Sequence, residues 1–81
     1  MLVIEIPVRH TIDARGMNRA SARLRLVRAM AAAELGDVVA MWTDDPSSRL
    51  DVPTWVDAAG QRLIGIEARD GFDEIFVERR T

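Results

Sequence analysis

The sequence predicts an α+β domain, a two-layer sandwich in which two helices cover one face of a four-stranded mixed sheet. Segments with strand and helix periodicity follow one another in the order β-α-β-α-β-β. Glycines and an Asp-Gly pair fall where these segments should end or turn. No linker, repeat or low-complexity stretch interrupts the 81 residues, so residues 1–81 are predicted to form one domain.

The first strand and the first helix are predicted from the N-terminal half. Residues 2–6 and 11–13 have strand character, with a bend at Pro7 that suits an edge strand. Residues 19–35 predict an amphipathic helix, and Gly36 is placed to end it in a left-handed cap. The apolar positions of this helix are 20, 24, 27, 31 and 35, widened by Leu26 and Met30.

A central strand and a second helix follow. Residues 38–42 are almost continuously apolar and short, which is typical of a central strand. Pro46 suits the first turn of a helix over residues 48–59, which we expect to be interrupted at Pro53 and closed by Gly60.

The C-terminal third predicts a β-hairpin. Residues 61–69 place Ile64, Ile66 and Ala68 on one face by strand alternation. Asp70-Gly71 is a strong turn signal, and residues 72–79 form the last strand. The predicted core comprises Leu24, Val27, Ala31, Ile64, Ile66, Ile75 and Val77.

The sheet face away from the helices is predicted to expose apolar side chains. The second strand is apolar on both sides, and Phe76 alternates with the inward-facing Ile75 and Val77. Exposed apolar patches and bare edge strands often mediate association. We therefore expect weak homodimerisation.

Composition excludes several kinds of site. The chain has no cysteine, so disulfides and cysteine-based metal sites are excluded. His10 is the only histidine, which excludes a histidine-cluster metal site. It is predicted to be structural, and a catalytic serine at Ser21 or Ser48 would need it nearby. The N-terminal apolar run is too short for a signal sequence or a membrane span, so a cytoplasmic location is expected.

Charge is distributed unevenly along the chain. All eleven basic residues are arginines, and the net charge is −2. Residues 1–30 carry six arginines and two acids, a balance of +4, whereas residues 31–81 carry five arginines and eleven acids, a balance of −6. This asymmetry fits either two halves whose charges mix on one surface or a site for an acidic partner or nucleic acid.

Two spaced motifs resemble those of a known family. The segment DARGMN precedes the first helix, and DDPSSRLDVPTW spans the start of the second. Together with the Asp-Gly hairpin, they resemble the TusA/SirA family of small sulfur-carrier proteins, whose pattern is roughly D-x-R-G-L-x-C-P-x-P and then D-D-P-x4-D-I-P-x-W/F. The resemblance covers nearly the whole chain and implies a fold similar to the C-terminal domain of translation initiation factor 3.

The sequence departs from the family pattern at its chemical centre. Where the family has Cys-Pro-x-Pro, this chain has residues 19–22, Arg-Ala-Ser-Ala. In the family that cysteine carries a persulfide between a desulfurase and an acceptor, in pathways such as tRNA thiolation. Arginine stays protonated and is no nucleophile. We therefore predict neither enzymatic sulfur transfer nor a catalytic residue.

The candidate binding residues surround the start of the first helix. A right-handed strand-helix-strand crossover brings the ends of the first two strands to one sheet edge, where α/β folds often bind ligands. The residues are Arg15, Gly16, Asn18, Arg19, Ser21, Arg23, Asp44 and Asp45. Asn18 is the predicted N-cap, with Ser21 as the alternative. Asp44 or Asp45 is expected to pair with Arg15 or Arg19, unless an anionic ligand or acidic partner meets these arginines.

Three functions remain as hypotheses. The first is a non-catalytic adaptor that binds a protein partner, within or beside a sulfur-relay system. The second is a nucleic-acid-binding module using Arg15, Arg19, Arg23, Arg25 and Arg28, although the acidic net charge and the lack of nearby aromatic residues disfavour it. The third is carrier activity without cysteine. No cofactor is expected, and a magnesium site at Asp44 and Asp45, with Asp13 or Asp51, is a minor alternative.

Overall fold

The computed structural model describes residues 7–81 and has its elements in the predicted order. They are β1 (Val8–Asp13), α1 (Arg19–Ala32), β2 (Val38–Thr43), α2 (Ser48–Ala58), β3 (Arg62–Ala68) and β4 (Asp73–Glu78). The strand predicted for residues 2–6 lies outside the described residues. Within residues 7–81, no helix is long and apolar enough to cross a membrane.

The four strands form one mixed sheet in the order β1-β2-β4-β3. β1 and β2 are parallel, whereas β4 pairs antiparallel with both β2 and β3. The apolar β2 is therefore a central strand, as predicted. Asp13 at the end of β1 pairs with Trp42 near the end of β2, so the two loops that follow these strands emerge at the same edge.

The main core lies between the sheet and the two helices, which both cover the same face. Ile75 and Val77 on β4 are fully buried there, as predicted. The other buried members come from α1, α2, β2 and the first loop: Ala14, Ala22, Leu26, Met30, Ala33, Val39, Met41, Val52 and Val56. The predicted fold class, an α+β two-layer sandwich, is confirmed.

The predicted buried face of α1 was wrong. Leu24 and Val27 are 48% and 36% exposed, and Ala31 is also exposed. The helix instead buries Ala22, Leu26 and Met30, with Ala33 beyond its end. The alanine side chains are small, which lets the helix lie close to the sheet while Leu26 and Met30 fill the core. The sequence prediction placed Leu26 and Met30 at the margin of the apolar stripe, whereas they lie at the centre of the buried face.

The end of α1 and the course of α2 both differ from the prediction. α1 ends at Ala32, and Gly36 lies in the following turn, where its φ is 87° and its N–H donates to the Arg79 carbonyl at 2.8 Å. α2 runs through Pro53 without interruption. Proline removes one backbone donor, but burial of Val52 and Val56 on either side of it keeps this helix continuous.

A β-bulge in β3 places one of its side chains on a different sheet face from the one predicted. Leu63 pairs with Val77 and Gly65 pairs with Phe76, which leaves Ile64 as an extra residue. Ile66 therefore packs against the main core, whereas Ile64 packs on the opposite side of the sheet. Ala68 is exposed at the end of the strand. The Asp70-Gly71 hairpin is confirmed, but only Gly71 has a positive φ, 82°.

The sheet face opposite the helices carries a second, smaller cluster. Val38, Ala40 and Phe76 are at most 6% exposed, with Val8 and Ile64 packed against them. The prediction that these side chains are exposed was therefore wrong. Weak homodimerisation through the N-terminal edge strand stays a prediction, whereas the exposed patch that was its other ground is absent from the described residues.

Candidate functional site

The loop between β1 and α1, residues 14–18, is fastened to β2 and to the loop that follows it. The N–H of the buried Ala14 donates to the Trp42 carbonyl at 2.8 Å, which extends the parallel pairing by one residue. Gly16 has a φ of 75°, a region that side chains disfavour. Its N–H donates to both carboxylate oxygens of Asp44, at 3.0 and 3.1 Å. Asp44 therefore fixes the path of this loop.

Arg15 is held on the sheet face away from the helices. Its Nε and Nη2 donate to the two carboxylate oxygens of Asp13, at 3.0 and 2.9 Å. Its guanidinium carbon lies 5.0 Å from the ring centroid of Trp42 and 4.9 Å from that of Phe72. Hydrogen bonding from the Arg15 side chain lowers the pKa of Asp13 to about 2, so the carboxylate stays ionised further into the acid range than an ordinary aspartate. Arg15 is thus held by contacts within the fold.

The start of α1 is capped by Asn18, as predicted. Its side-chain oxygen accepts a hydrogen bond from the N–H of Ser21 at 2.9 Å. Ser21 therefore contributes its backbone, and within residues 7–81 its hydroxyl has no hydrogen-bond partner. The alternative that Ser21 is the cap is wrong, because its own N–H is the group being capped.

Arg19 does not pair with the carboxylates that the sequence suggested. Its Nε lies 3.1 Å from Oδ2 of Asp51, in the first turn of α2, and its Nη1 donates to Oδ1 at 3.5 Å. The ion pair is exposed, with 62% of the Arg19 side chain accessible. It links the two helices across the groove between them. An exposed pair of this kind contributes only about 0–1 kcal/mol to stability.

The two neighbouring aspartates accept hydrogen bonds from other groups instead. Asp44 accepts from Gly16, and Asp45 accepts from the N–H and the hydroxyl of Ser47 at 2.9 and 2.8 Å. The hydrogen bond from the Ser47 backbone is the main reason that the pKa of Asp45 is lowered. Both carboxylates are thus occupied at the turn, so the predicted pairing of Asp44 or Asp45 with Arg15 or Arg19 was wrong.

The remaining candidates do not assemble into a catalytic or metal site. Ser48 is buried with its hydroxyl 3.0 Å from that of Thr43, whereas His10 Nε2 lies 3.6 Å from Asp37, which precedes β2. The serine and the histidine are therefore at opposite ends of the parallel strands. Across the part of the chain that the structure describes, no three acidic or histidine side chains cluster as a metal site.

A shallow groove separates the two helices at this edge. We call it the interhelix groove and define it by Arg19, Arg23 and Asp51 at its rim and Leu26, Val52 and Trp55 deeper between the helices. It continues onto α1, where Ala20, Leu24 and Val27 line it. The structure thus brings Arg19 and Arg23 together, while Arg15 and Gly16 belong to a separate cluster.

Sequence reasoning missed two partners across the fold. Asp51 was considered as part of a motif and as a minor metal-ligand candidate, but it is the ion-pair partner of Arg19. Arg49 holds the 8%-exposed Asp73 through hydrogen bonds of 2.7 and 2.9 Å, which lower the pKa of that carboxyl. Both contacts join residues far apart in the chain, and no local pattern indicates such pairs. The Leu24 and Val27 surface was visible in the sequence but was assigned to the core.

Comparisons with known proteins agree with this geometry. The family described as "Sulfurtransferase TusA" matches residues 10–79. A protein of Archaeoglobus fulgidus named "Putative sulfur carrier protein" is 29% identical over 68 residues, which cover 84% of this chain and 93% of that protein. The crystal structure of a SirA-like protein from Desulfitobacterium hafniense superposes with a TM-score of 0.78 at 26% identity and covers 89% of this chain and 99% of that one. The chain therefore belongs to the TusA family.

Proposed function

We propose that this protein is a non-catalytic member of the TusA family that recognises another protein without carrying sulfur itself. The observation that carries the proposal is Arg19. It stands where the family pattern has its cysteine, at the start of α1, and forms an exposed ion pair with Asp51. Sulfur transfer of the family type needs a thiolate, and none of the 81 residues is a cysteine.

The fold holds the residues around Arg19 in defined positions. Asp44 accepts a hydrogen bond from Gly16, Asn18 caps α1, and Arg19, the first residue of the helix, is exposed. The site therefore presents a shaped, charged surface without a nucleophile. That combination supports recognition as the role of the site.

The surroundings of Arg19 favour a protein as the partner. Leu24 and Val27 are exposed beside the groove that Arg19 and Arg23 line. Arginines next to exposed apolar side chains are typical of protein interfaces. The aromatic rings of Trp42 and Phe72 hold Arg15 rather than standing free to stack on bases. The names of the family and of the relative, a sulfurtransferase and a putative sulfur carrier, make a component of a sulfur-relay system the first partner to test.

The proposal is tested with two measurements. Immobilised protein captures partners from a lysate of the source organism, and quantitative mass spectrometry compares the wild type with Arg19→Ala and with Arg62→Ala, an exposed arginine on β3. We expect at least one protein to be retained by the wild type and Arg62→Ala but depleted several-fold by Arg19→Ala. Equal retention by all three baits would contradict the proposal.

The second measurement concerns sulfur. The protein is incubated with a cysteine desulfurase and cysteine, beside a family member that has the cysteine, and intact masses are recorded. We expect the control to gain one sulfur atom and this chain to gain none. A sulfur adduct on this chain would instead support carrier activity without cysteine.

A further inference from the structure

α1 has two apolar stripes, and the fold uses only one of them. Ala22, Leu26 and Met30 face the sheet. The second stripe, which we call the outer face, consists of Ala20, Leu24, Val27 and Ala31, all of them exposed. Leu24 and Val27 are among the most exposed large apolar side chains of residues 7–81. Because burying apolar area is the main driving force of association, this face is suited to a partner.

The spacing of the outer face indicates what kind of partner fits. Its residues are separated by four, three and four positions, the repeat that forms the seam of a coiled coil. Such a seam accepts a second helix whose apolar residues repeat in the same way. α1 has 14 residues and is therefore about 21 Å long, enough for about two heptads of a partner helix.

The charges beside the seam indicate the sign of the charge that the partner carries there. Arg23 and Arg28 stand at two of the positions that flank the seam, where interhelical ion pairs set the choice of partner. α1 contains four arginines and no acidic residue. Among the described residues, neither Arg23 nor Arg28 has a carboxylate within 4.0 Å, so their charges are not neutralised by the fold. The complementary helix therefore carries Asp or Glu at its flanking positions.

We propose that the outer face of α1 binds an acidic amphipathic helix of another protein. This inference rests on the proposed recognition function and names the chemistry of the partner. A second copy of the chain is a poor occupant, because pairing two α1 helices through this face places Arg23 and Arg28 against arginines in either orientation. Like charges across an interface oppose association.

Two synthetic helical peptides of two to three heptads test the inference on the full chain. They share the same leucine seam and carry either Glu or Lys at the flanking positions. Fluorescence anisotropy of the labelled peptides gives each Kd. We expect the Glu peptide to bind about tenfold or more tightly than the Lys peptide, since opposite charges attract and like charges repel across the seam. Equal affinities, or no binding of the Glu peptide up to about 1 mM, would overturn the inference.

Variants of the protein locate the binding. Arg23→Glu with Arg28→Glu should reverse the preference between the two peptides, and Leu24→Asp should weaken the Glu peptide about tenfold or more. The matched controls are Arg62→Glu on β3 and Leu50→Asp on α2, where Leu50 is 76% exposed. Both controls should bind like the wild type. Circular dichroism melts confirm that each variant is folded. Equal loss in Leu50→Asp and Leu24→Asp would contradict the assignment of the surface.

Two other binding partners of the outer face would give different experimental results. Sedimentation showing a dimer that Leu24→Asp dissociates would assign the outer face to a second copy. Salt-dependent binding of single-stranded RNA that Arg23→Glu with Arg28→Glu abolishes would assign it to nucleic acid. Either result overturns the proposed acidic helix. If the Glu peptide fails while Arg19-dependent capture succeeds, only this inference is wrong. If the peptide binds while capture does not depend on Arg19, the recognition role proposed for Arg19 is wrong and the outer face remains the binding surface.

Discussion

Leu24 and Leu26 are two residues apart on the same helix and have different surroundings. Leu26 is 1% exposed in the main core, whereas Leu24 is 48% exposed on the outer face. The same division separates two arginines at the start of this unit. Arg15 is fixed by Asp13 and two aromatic rings, while Arg19 reaches one exposed carboxylate. Leu26 and Arg15 are held by contacts within the fold, on opposite faces of the sheet, whereas Leu24 and Arg19 are exposed.

The largest expected effect on stability comes from Leu26, on the buried face of α1. Leu26→Ala should lower the free energy of unfolding by about 2–5 kcal/mol, because it removes apolar contacts and leaves a cavity in the core. Leu24→Ala, the matched substitution on the outer face, should change it by no more than about 0.5 kcal/mol. Urea unfolding of both variants measures the difference. Similar losses in the two variants would mean that α1 is rotated relative to the structure described here.

The cap at the start of α1 should have a smaller effect on stability. Asn18→Ala should lower the free energy of unfolding by about 0.5–2 kcal/mol, because it removes the side-chain oxygen that accepts from the N–H of Ser21. Ser21→Ala is the control and should have little effect, since its hydroxyl has no partner within the described residues. Thermal melts compare the two. A larger effect from Ser21→Ala would transfer the cap to Ser21.

Much of this arrangement could be predicted from the sequence, but the face of α1 that meets the sheet could not. The order of elements, the parallel β1–β2 pair and the Asn18 cap follow from periodicity, crossover geometry and local donor chemistry. α1, however, offers two stripes at helical spacing, one with Leu24 and Val27 and the other with Leu26 and Met30. The choice between them depends on how closely the helix approaches the sheet, which is a property of packing.

The candidate site shows the same limit. Asp44 and Asp45 were correctly placed at the sheet edge, but sequence distance says nothing about which arginine reaches which carboxylate. The turn after β2 has backbone donors that satisfy Asp45 locally, and Gly16 satisfies Asp44. This leaves Asp51, one turn into α2, as the acceptor for Arg19. Similarly, the bulge at Ile64 depends on pairing with β4, so alternation alone gave the wrong face.

Acid titration should test the pair formed by Arg15 and Asp13. Asp13 has a folded-state pKa of about 2 instead of 3.8, mainly because Arg15 donates to it. A lowered pKa contributes stability that is fully present above pH 3.8 and is lost as the pH falls towards 2. Arg15→Met should therefore reduce the loss of stability over this window relative to the wild type. Melting temperatures between pH 2 and 5 measure this, and indistinguishable profiles for wild type and Arg15→Met would show that the Arg15–Asp13 pair is not coupled to folding.

The smallest effect on stability is expected at Arg19 itself. Arg19→Ala should change the free energy of unfolding by no more than about 0.5 kcal/mol, because the side chain is exposed and surface ion pairs contribute little. A double-mutant cycle with Asp51→Ala should give a coupling energy of about 0–1 kcal/mol that decreases with added salt. The measurement is a set of urea titrations at low and high salt, beside the partner capture described above. A coupling well above this range, with partner capture unchanged in Arg19→Ala, would assign the ion pair to the fold and remove Arg19 from the recognition surface.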